Sequence, residues 1–378
     1  MSAVKAKIAL VFDWMTTAGG AEKVNIVLHE MFPEAPIFTS VYNPDRLKGF
    51  EDAEIHTSFI QKLPFAKNNH QYYLGLMPYA YESFDLSEFD IVISSSHACA
   101  KGVITKPETL HLCYCHTPMR YAWDNWHSYI KEYRVNFLVK RWAKRRMHKL
   151  RMWDRLSADR VDSFVANSST TKKRIEKYYR KHATVIPPMI KVSKYKVAEE
   201  GPKGYFLAVG RLIPYKRFDI IVEAFNELRI PLKIVGTGIM EDYLKKIAGD
   251  NIEFLGYTDN KTLTKLYSEC EALIFPQVED FGITPLESMA SGRPVIAYRE
   301  GGALDTIEEN KTGIFFDEQS PEALIEAVKQ YKKVRSKFDP EVIRQHAKGF
   351  DRSVFEKRFL TFLKDKWERW QSTTSKDR

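Results

Sequence analysis

Short apolar runs alternate with helical patterns along both halves of this 378-residue chain. Ile8–Phe12 is a continuous apolar run typical of a buried strand, and a loop and a helical pattern over Ala21–Met31 follow it. In the second half the strand–loop–helix pattern repeats five times. The alternation predicts an α/β protein with two parallel, doubly wound sheets that helices cover. A composition of 44% hydrophobic and 28% charged residues excludes collagen-like, disordered and disulfide-scaffold proteins.

The remaining strands of the first half are predicted at Ile37–Val41, Ile91–Ser95, Leu110–Cys115, Ser163–Ala166 and Thr184–Ile186. Those of the second half are predicted at Tyr205–Val209, Leu232–Val235, Ile252–Leu255, Ala272–Phe275 and Pro294–Tyr298. Two such domains favour a ligand at the carboxyl ends of the strands.

The domain boundary is predicted after the last strand of the first half. Pro187-Pro188 can continue neither a helix nor a central strand, and the polar stretch that follows contains the turn signal Gly201-Pro202. The predicted organisation is an N-terminal domain over 1–190, a linker over 191–203, a C-terminal domain over 204–352 and a helical segment over 353–378. No strand pattern follows this amphipathic segment, so its apolar face must pack on an existing surface.

The positive charge is concentrated in one segment. The formal net charge is +9, and Arg134–Arg160 contains ten Lys or Arg and two Asp. Apolar residues in 135–160 recur at near-helical spacing, with the basic residues mostly on the other side. A basic amphipathic helix with Trp is typical of contact with an anionic membrane, and a core-packed helix with a solvated basic face fits the same pattern. No recognition motif for nucleic acid accompanies it, so no nucleic-acid partner is expected.

The cysteines and apolar runs exclude further classes of protein. Four cysteines in a chain of this length do not form a disulfide framework and indicate a reducing compartment. Cys113-x-Cys115-His116 lacks a second ligand pair at suitable spacing, so no metal site and no metal cofactor are expected. No stretch approaches the roughly 20 apolar residues of a membrane span, and no signal peptide is predicted at the start.

The loop Val209–Arg217 is the strongest local signal for ligand binding. It lies between a predicted strand and a predicted helix, where free amides and the helix dipole favour an anion. Arg211 and Lys216 add two positive charges, and an arginine can bind a phosphate with two hydrogen bonds. A diphosphate fits this loop, although two solvated cations are an equally good interpretation of this stretch taken alone.

Two carboxylates eight positions apart, Glu279 and Glu287, form the second signal. Gly282 between them allows the backbone to approach a ligand, and the amides around Phe281 and Ile283 begin a helix. Beside a diphosphate, the carboxylates fit if Glu279 accepts hydrogen bonds from a sugar and Glu287 from a ribose, at about 1.5–3 kcal/mol each. The alternative is that Glu279 belongs to a charge pair in a loop and that Glu287 is a surface residue of a helix. The basic loop upstream makes this alternative the weaker of the two interpretations.

These motifs, in this order, resemble those of the family 4 glycosyltransferases of the GT-B type. The resemblance lies in Gly19-Gly20-Ala21-Glu22, Cys115-His116-Thr117-Pro118, Gly210-Arg211 with Lys216, and the pair Glu279 and Glu287. The segment Tyr114–Asp124 is similar to the mannosyltransferases of bacterial surface-polysaccharide assembly. The resemblance implies two Rossmann-like domains facing across a cleft, an acceptor-binding N-terminal one and a nucleotide-sugar-binding C-terminal one, and a C-terminal helix that returns to the N-terminal domain.

The resemblance also implies roles for the donor-site motifs. Arg211 and Lys216 would hold the donor diphosphate, next to Gly210. Glu279 would bind sugar hydroxyls, and the amides of Phe281–Ile283 would bind the distal phosphate.

Further roles follow from the same resemblance. Glu287 would bind the ribose, and the base would lie near Phe254 and Tyr257. Gly19 and Gly20 would let the first loop approach donor and acceptor, and His116 would lie near the sugar. A core histidine is the alternative for His116. The aromatic residues Tyr121, Trp123, Trp126 and Tyr129 fit either an acceptor groove or the core.

The family resemblance implies a retaining transferase that uses no metal, in which the leaving diphosphate oxygen takes the proton of the incoming hydroxyl. The expected reaction moves mannose from GDP-mannose to a lipid-linked glycan in the synthesis of a surface polysaccharide such as lipopolysaccharide. With segment 135–160 on an anionic membrane, the enzyme would be cytoplasmic and peripherally bound to the inner face of the cell membrane. A UDP-sugar donor, an epimerase or phosphorylase, and a non-enzymatic nucleotide-sugar-binding membrane protein stay open as alternatives.

Overall fold

A computed structural model describes residues 6–17, 19–124 and 137–374 of the chain. Two compact units account for its internal contacts: Met1–Ile186 with Glu356–Arg378, and Pro187–Phe355. The chain therefore leaves the first unit at the proline pair. Trp126, Tyr129, Arg134 and Val135, which the sequence interpretation used, lie outside the described residues, as do the side chains of Leu138, Val139, Lys140 and Trp142.

The first unit contains a seven-stranded parallel sheet with the order β3-β2-β1-β4-β5-β6-β7. The strands are β1 (Ile8–Phe12), β2 (Ile37–Thr39), β3 (Ile55–Thr57), β4 (Ile91–Ser96), β5 (Leu110–Cys115), β6 (Ser163–Ala166) and β7 (Ala183–Val185). β4 and β5 are buried along their whole length, as is typical of central strands in a parallel sheet, although β4 ends in three serines and β5 contains His111.

Five helices between residues 20 and 179 accompany this sheet in the described part of the chain. They are α1 (Gly20–Met31), α2 (Ala66–Asn69), α3 (Met77–Glu82), α4 (Phe137–Ser157) and α5 (Ser169–Tyr179). α5 begins with a cap in which the Ser168 hydroxyl accepts a hydrogen bond from the Thr171 amide, which satisfies one of the free donors of its first turn. The predicted basic helix is thus present as α4 over its described part.

The second unit contains a six-stranded parallel sheet with the order β10-β9-β8-β11-β12-β13. Its strands are β8 (Phe206–Val209), β9 (Leu232–Val235), β10 (Ile252–Gly256), β11 (Leu273–Phe275), β12 (Val295–Tyr298) and β13 (Gly313–Phe316). Its helices are α6 (Phe218–Leu228), α7 (Glu241–Ile247), α8 (Asn260–Glu269), α9 (Ile283–Ala290), α10 (Ala303–Thr306), α11 (Pro321–Val334) and α12 (Pro340–Lys348). The prediction of two doubly wound sheets is confirmed.

The last helix, α13 (Arg352–Thr374), belongs to the first unit from Glu356 onwards. Phe359, Phe362 and Leu363 are buried there, and the Trp370 indole nitrogen donates a hydrogen bond to the Glu108 carbonyl at 3.0 Å. The amphipathic tail therefore packs its apolar face on the sheet domain that begins the chain. In the described part of the chain, no helix has the length and apolar character needed to cross a membrane.

Two strands escaped prediction, each for a physical reason. β3 is an edge strand with the sequence Ile-His-Thr, and two of its three side chains are exposed, so it lacks an apolar run. β13 begins with Gly313 and has only three apolar residues after it. A Cβ at Gly313 would overlap the Val295 carbonyl on β12, so this glycine permits the strand to pair closely there.

Candidate active site

Two loops meet where the strand order of the second sheet reverses. The loop after β8 carries Gly210 and Arg211, and the loop after the neighbouring strand β11 carries Gln277 and Glu279. Ligands of open α/β sheets bind at the carboxyl ends of the strands at such a reversal point. The fold thus brings together the two motifs that the sequence interpretation considered separately.

Lys216 and Glu279 form an ion pair that joins these two loops. Their side chains are only 12% and 22% exposed, and the Gln277 amide donates a further hydrogen bond to Glu279 Oε1 at 3.3 Å. An anion that reaches Lys216 would compete with Glu279 for its ammonium group. The displaced carboxylate would then be able to accept hydrogen bonds from hydroxyl groups of the same ligand.

The Gly210–Leu212 segment is fixed by the turn that follows β9. The amide of Gly210 donates to the Val235 carbonyl at 3.0 Å, and the amide of Leu212 donates to the Thr237 carbonyl at 3.0 Å. Gly236 has a φ of +133°, and a Cβ there would overlap the Gly210 carbonyl oxygen. Glycine in this turn therefore permits the close contact that holds Arg211, an exposed side chain, at the sheet edge.

The segment from Glu279 to Gly282 is equally constrained. The Gly302 amide donates to the Glu279 carbonyl at 2.8 Å, and Phe281 is buried against the ring of Phe350 at 6.2 Å. Gly282, with a φ of +86°, is the N-terminal cap of α9, and Ile283 is the first helical residue. The first amides of α9 therefore follow Glu279 closely in the sequence. The predicted phosphate-binding amides thus lie on a well-packed helix start.

Glu287 lies inside α9 and is 7% exposed. The Tyr267 hydroxyl donates to its Oε2 at 2.9 Å, and the Tyr195 hydroxyl also hydrogen-bonds this carboxylate. Burial, followed by the nearby Glu287 charge, raises the pKa of both tyrosines, so they remain donors at neutral pH. The alternative of a surface helix residue is wrong for Glu287, because two phenols orient a buried carboxylate.

Phe254 and Tyr257 lie on and just after the edge strand β10. Phe254 packs partly buried against the core of the second unit, while Tyr257 is 87% exposed. The Gly236 amide donates to the Gly256 carbonyl at 2.8 Å and so connects this loop to the turn after β9. Of the two residues predicted near the base, Tyr257 is the one with a free ring surface.

The first unit holds the other predicted residues. Gly19 caps α1 with extended backbone, and Gly20 is its first residue. His116 follows β5 and is buried, with Nε2 at 2.9 Å from the Ser95 hydroxyl. Burial lowers the pKa of His116 to about 3, so its ring is neutral at physiological pH. Its packing is that of a core histidine.

Trp123 packs inward rather than lining a groove. Its indole nitrogen donates to Asp154 Oδ2 at 2.7 Å, and its ring stacks on Tyr178 at 4.7 Å. Among the described residues, no group of three or more His, Cys, Asp or Glu is arranged to hold a metal ion. Cys99, Cys113, Cys115 and Cys270 are buried free thiols.

Comparison with known families decides the kind of protein. The profile described as Glycosyltransferase Family 4 matches residues 18–194, and the one described as Glycosyl transferases group 1 matches residues 190–348. The two profiles adjoin near the boundary between the units. The chain belongs to the family 4 glycosyltransferases.

Curated relatives of this chain include two proteins named as mannosyltransferases. The O-antigen chain mannosyltransferase C of Escherichia coli is 28% identical over 186 residues, which are 44% of this chain and 48% of the relative. The GDP-mannose-dependent alpha-(1-6)-phosphatidylinositol monomannoside mannosyltransferase of Mycobacterium tuberculosis is 32% identical over 146 residues, 34% of this chain and 38% of the relative. The chain therefore aligns with less than half the length of these two relatives.

The fold of the chain is shared with solved structures over nearly its whole length. The Anabaena protein HepE, solved in complex with UDP, has a TM-score of 0.69 and 16% identity, and the match covers 95% of this chain and 100% of HepE. At this identity the likeness shows a common fold.

Sequence reasoning missed polar residues at the matching edge of the first sheet. Asp13 and Trp14 directly follow β1, and His97 directly follows β4. In that sheet, too, β1 and β4 are neighbours where the strand order reverses. A charged or aromatic residue immediately after a predicted buried strand is the signal that would have found them.

Proposed function

We propose that this glycosyltransferase transfers mannose from GDP-mannose to a lipid-linked glycan, with retention of the anomeric configuration, at the inner face of the cell membrane. The Lys216–Glu279 ion pair at the reversal point of the second sheet is the observation that carries the donor site. In this pair, an ammonium group that can bind a diphosphate contacts a carboxylate that can accept hydrogen bonds from sugar hydroxyls.

The diphosphate would be bound by Arg211, Lys216 and the first amides of α9. Arg211 is exposed and its guanidinium is therefore available for a bidentate contact, while Lys216 supplies a partly buried point charge. When the bond from the sugar to the diphosphate breaks, negative charge grows on the phosphate oxygen. These fixed donors stabilise that negative charge, and no other protein group is needed to stabilise it.

The acceptor proton would pass to the leaving diphosphate oxygen on the same face of the sugar. This step supports retention of configuration and requires no base from the second unit. Glu279 would then hold the sugar hydroxyls, and Glu287, oriented by Tyr267 and Tyr195, would hold the ribose. Tyr257 offers an exposed ring on which a base could stack.

The choice of GDP-mannose is supported by the printed names of the two mannosyltransferase relatives, one of which is GDP-mannose-dependent. A UDP-sugar is the second candidate donor, because HepE shares the fold and was solved with UDP. No metal or other cofactor is proposed for the reaction.

Membrane contact is supported by the described surface of α4. Its exposed side chains include basic residues together with the apolar residues Met152 and Leu156, of which Leu156 is 65% exposed. The exposed basic residues are Arg141, Lys144, Arg145, Arg146 and Lys149. Cations beside exposed apolar groups favour an anionic lipid surface, at about 1 kcal/mol for each cation near it.

The test is turnover by the purified full chain with GDP-mannose or UDP-glucose and a lipid-linked glycan extract. We expect release of GDP and a glycan longer by one hexose, with the new linkage showing the donor's anomeric configuration by NMR. Release of UDP without release of GDP would show that the donor is a UDP-sugar and not GDP-mannose. Nucleotide-sugar binding without any elongated glycan would contradict the proposed function.

A further inference from the structure

We propose that Arg174 on α5 is a positioning residue of this glycosyltransferase, which fixes the segment after β5 by contacts near both of its ends. We call residues 116–124, from His116 to Asp124, the β5 segment. Its role in transfer rests on the proposed function, since the family resemblance implies that His116 lies near the sugar. Arg174 itself belongs to none of the motifs that the sequence singled out.

The β5 segment consists of turns and bends, without a helix or a strand among its residues. Its internal backbone hydrogen bonds include those from the amides of Ala122 and Trp123 to the Met119 carbonyl, at 2.9 and 3.0 Å. The segment starts at the carboxyl end of β5, the edge of the sheet at which α/β proteins bind their ligands. Because it has so little regular structure of its own, neighbouring side chains decide its position.

One face of α5 donates hydrogen bonds to the β5 segment. Thr171, Arg174 and Tyr178 are spaced three and four residues apart, so they project from the same side of the helix. The Thr171 hydroxyl donates to the buried His116 carbonyl at 3.1 Å. The Tyr178 hydroxyl donates to Asp124 Oδ1, at the other end of the segment. This helix face therefore holds the segment from its first residue to its last.

The Arg174 guanidinium contacts both halves of the segment. Its Nε lies 2.6 Å from Asp124 Oδ2, and its Nη1 donates to the Thr117 hydroxyl at 3.3 Å. The side chains of Arg174 and Asp124 are only 15% and 20% exposed, so solvent screens this ion pair weakly. Because the guanidinium is a rigid planar fork, its two contacts fix the separation of Thr117 and Asp124. A lysine at this position would keep the charge but not the fork.

Two further contacts hold the last residues of the segment. The Tyr178 ring stacks on Trp123 at 4.7 Å, and Arg151 Nε on α4 donates to the Ala122 carbonyl at 2.7 Å. Burial, followed by the hydrogen bond to Asp124, raises the pKa of Tyr178 to about 12, so its hydroxyl remains a donor at neutral pH. The segment is thus held by α5 at its ends and by α4 between them.

α5 is docked on the sheet by a different face. Ile175 and Tyr179 are buried in one core cluster with Phe164 of β6. Loss of the Arg174 guanidinium would therefore release the β5 segment and leave α5 in place. The position of the segment can be changed in this way without removing the apolar contacts that stabilise the unit.

Hydrogen exchange measures the hold on the segment without relying on turnover. Mass spectrometry would follow the peptide over residues 116–124 in the full chain. We expect this peptide to exchange about tenfold faster in Arg174→Met, because a charge-assisted hydrogen bond is lost, and less than that in Arg174→Lys. Tyr178→Phe removes one hydroxyl, keeps the stacked ring and carries the test if Arg174→Met does not fold. The exposed pair of Arg369 and Asp365 on α13 of the same unit supplies the control, Arg369→Met, which should leave this peptide unchanged.

Kinetics connect the segment to the reaction. With GDP-mannose and the lipid-linked glycan, kcat should fall by about tenfold to a hundredfold in Arg174→Met, since a displacement of about 1 Å in a positioning group has effects of that size. The Kd of GDP should be unchanged, because the second unit holds the nucleotide. Arg174→Lys should recover part of kcat. Asp124→Asn combined with Arg174→Met should lose little more than either change alone, since both remove the same contact.

Unchanged exchange of the peptide in both Arg174→Met and Tyr178→Phe would overturn the role of Arg174. Faster exchange with an unchanged kcat would do so as well, because that is the pattern of a contact with a structural role alone. A fall in kcat that Arg174→Lys does not lessen, together with weaker GDP binding and a lower melting temperature, would show general loss of folding and would count against it too. If the wild type transfers no mannose, the proposed function fails, and the exchange measurement by itself decides whether Arg174 holds the segment.

Discussion

Lys216 and Glu279 are 63 residues apart in the chain and form an ion pair between the loops after β8 and β11. The pair is partly buried, so neither side chain is free to move without a new partner. A nucleotide diphosphate that carries a sugar supplies a new partner for each side chain. Its phosphates replace Glu279 at the Lys216 ammonium group, and its hydroxyls replace Lys216 at the Glu279 carboxylate. Binding of the donor is therefore an exchange of partners at one place.

Lys216→Ala and Arg211→Ala should each lower the kcat/KM for the donor by about 10- to 200-fold, which corresponds to the loss of about 1.5–3 kcal/mol of charge-assisted bonding. Steady-state kinetics with varied donor concentration measure this. Lys332→Ala removes an exposed cation of the same unit and should change kcat/KM little. Normal kinetics in both Lys216→Ala and Arg211→Ala would show that the diphosphate binds elsewhere.

Asp154 pairs with Lys101 in the interior of the first unit, where both residues are almost fully buried. Trp123 and Tyr179 also donate to Asp154 Oδ2, at 2.7 and 2.9 Å. Asp154→Ala should lower the free energy of unfolding by about 3–5 kcal/mol, because it leaves a buried ammonium group without its counter-charge.

The exposed pair of Arg155 and Asp159 is the matched control for that loss. Asp159→Ala should cost at most about 1 kcal/mol, because solvent screens a surface ion pair. Urea unfolding of both variants measures the difference. Similar costs for the two substitutions would contradict a special role of the buried pair in holding α4 on the unit.

Buried neutral histidines make stability depend on pH. Burial lowers the pKa of His111 to about 4 and that of His116 to about 3, against 6.5 in the unfolded chain. Their contribution is fully present above pH 6.5 and is lost as the pH falls towards 4 and 3, because only the unfolded chain binds protons in that window.

His111→Gln should therefore flatten the decrease in unfolding free energy between pH 6.5 and 4. His111 Nε2 lies 2.8 Å from the Ser94 hydroxyl, and Gln keeps a polar group for that contact. Urea titrations at pH 7, 5.5 and 4.5 measure the slope. A slope as steep as that of the wild type would mean that other groups cause the acid sensitivity.

Binding to anionic vesicles should depend on the exposed cations of α4. The double variant Lys144→Ala with Arg145→Ala removes two of them and should weaken binding to phosphatidylglycerol vesicles by about 30-fold, at about 1 kcal/mol for each cation. Vesicle sedimentation measures it, with phosphatidylcholine vesicles and the variant Lys332→Ala with Lys333→Ala as controls. Equal binding of the two double variants would show that α4 does not meet the lipid.

The fold was largely predictable from the sequence because most of its strands are short, mainly apolar runs separated by helical patterns. The bounds of Leu110–Cys115, Ser163–Ala166 and Leu232–Val235 agree with the structure at both ends. β3 carries too few apolar residues for such a pattern. β13 has as many as the predicted strand Ser163–Ala166, but it begins with Gly313, a residue type that is depleted in strands. The position of each strand in the order of the sheet also depends on tertiary contacts, so the sequence pattern does not predict it.

The candidate site was readable in part. Charged residues after strands identified the loops of Arg211 and Glu279, but the pairing of Glu279 with Lys216 depends on β8 and β11 being neighbours. The sequence likewise contains no sign that Tyr267 and Tyr195 hold Glu287. His97 escaped attention because its significance arises from Asp13, which lies 84 residues earlier.

The most direct measurement of the central claim is a thermal-shift titration of the purified chain with GDP, GDP-mannose, UDP and UDP-glucose. A ligand that binds the folded state stabilises it by about 2.7 kcal/mol at a hundredfold excess over its Kd. The account predicts that GDP and GDP-mannose raise the melting temperature of the wild type and that Lys216→Ala abolishes most of the rise. No rise with any of the four compounds, or an equal rise in wild type and Lys216→Ala, would contradict a donor site at the Lys216–Glu279 pair.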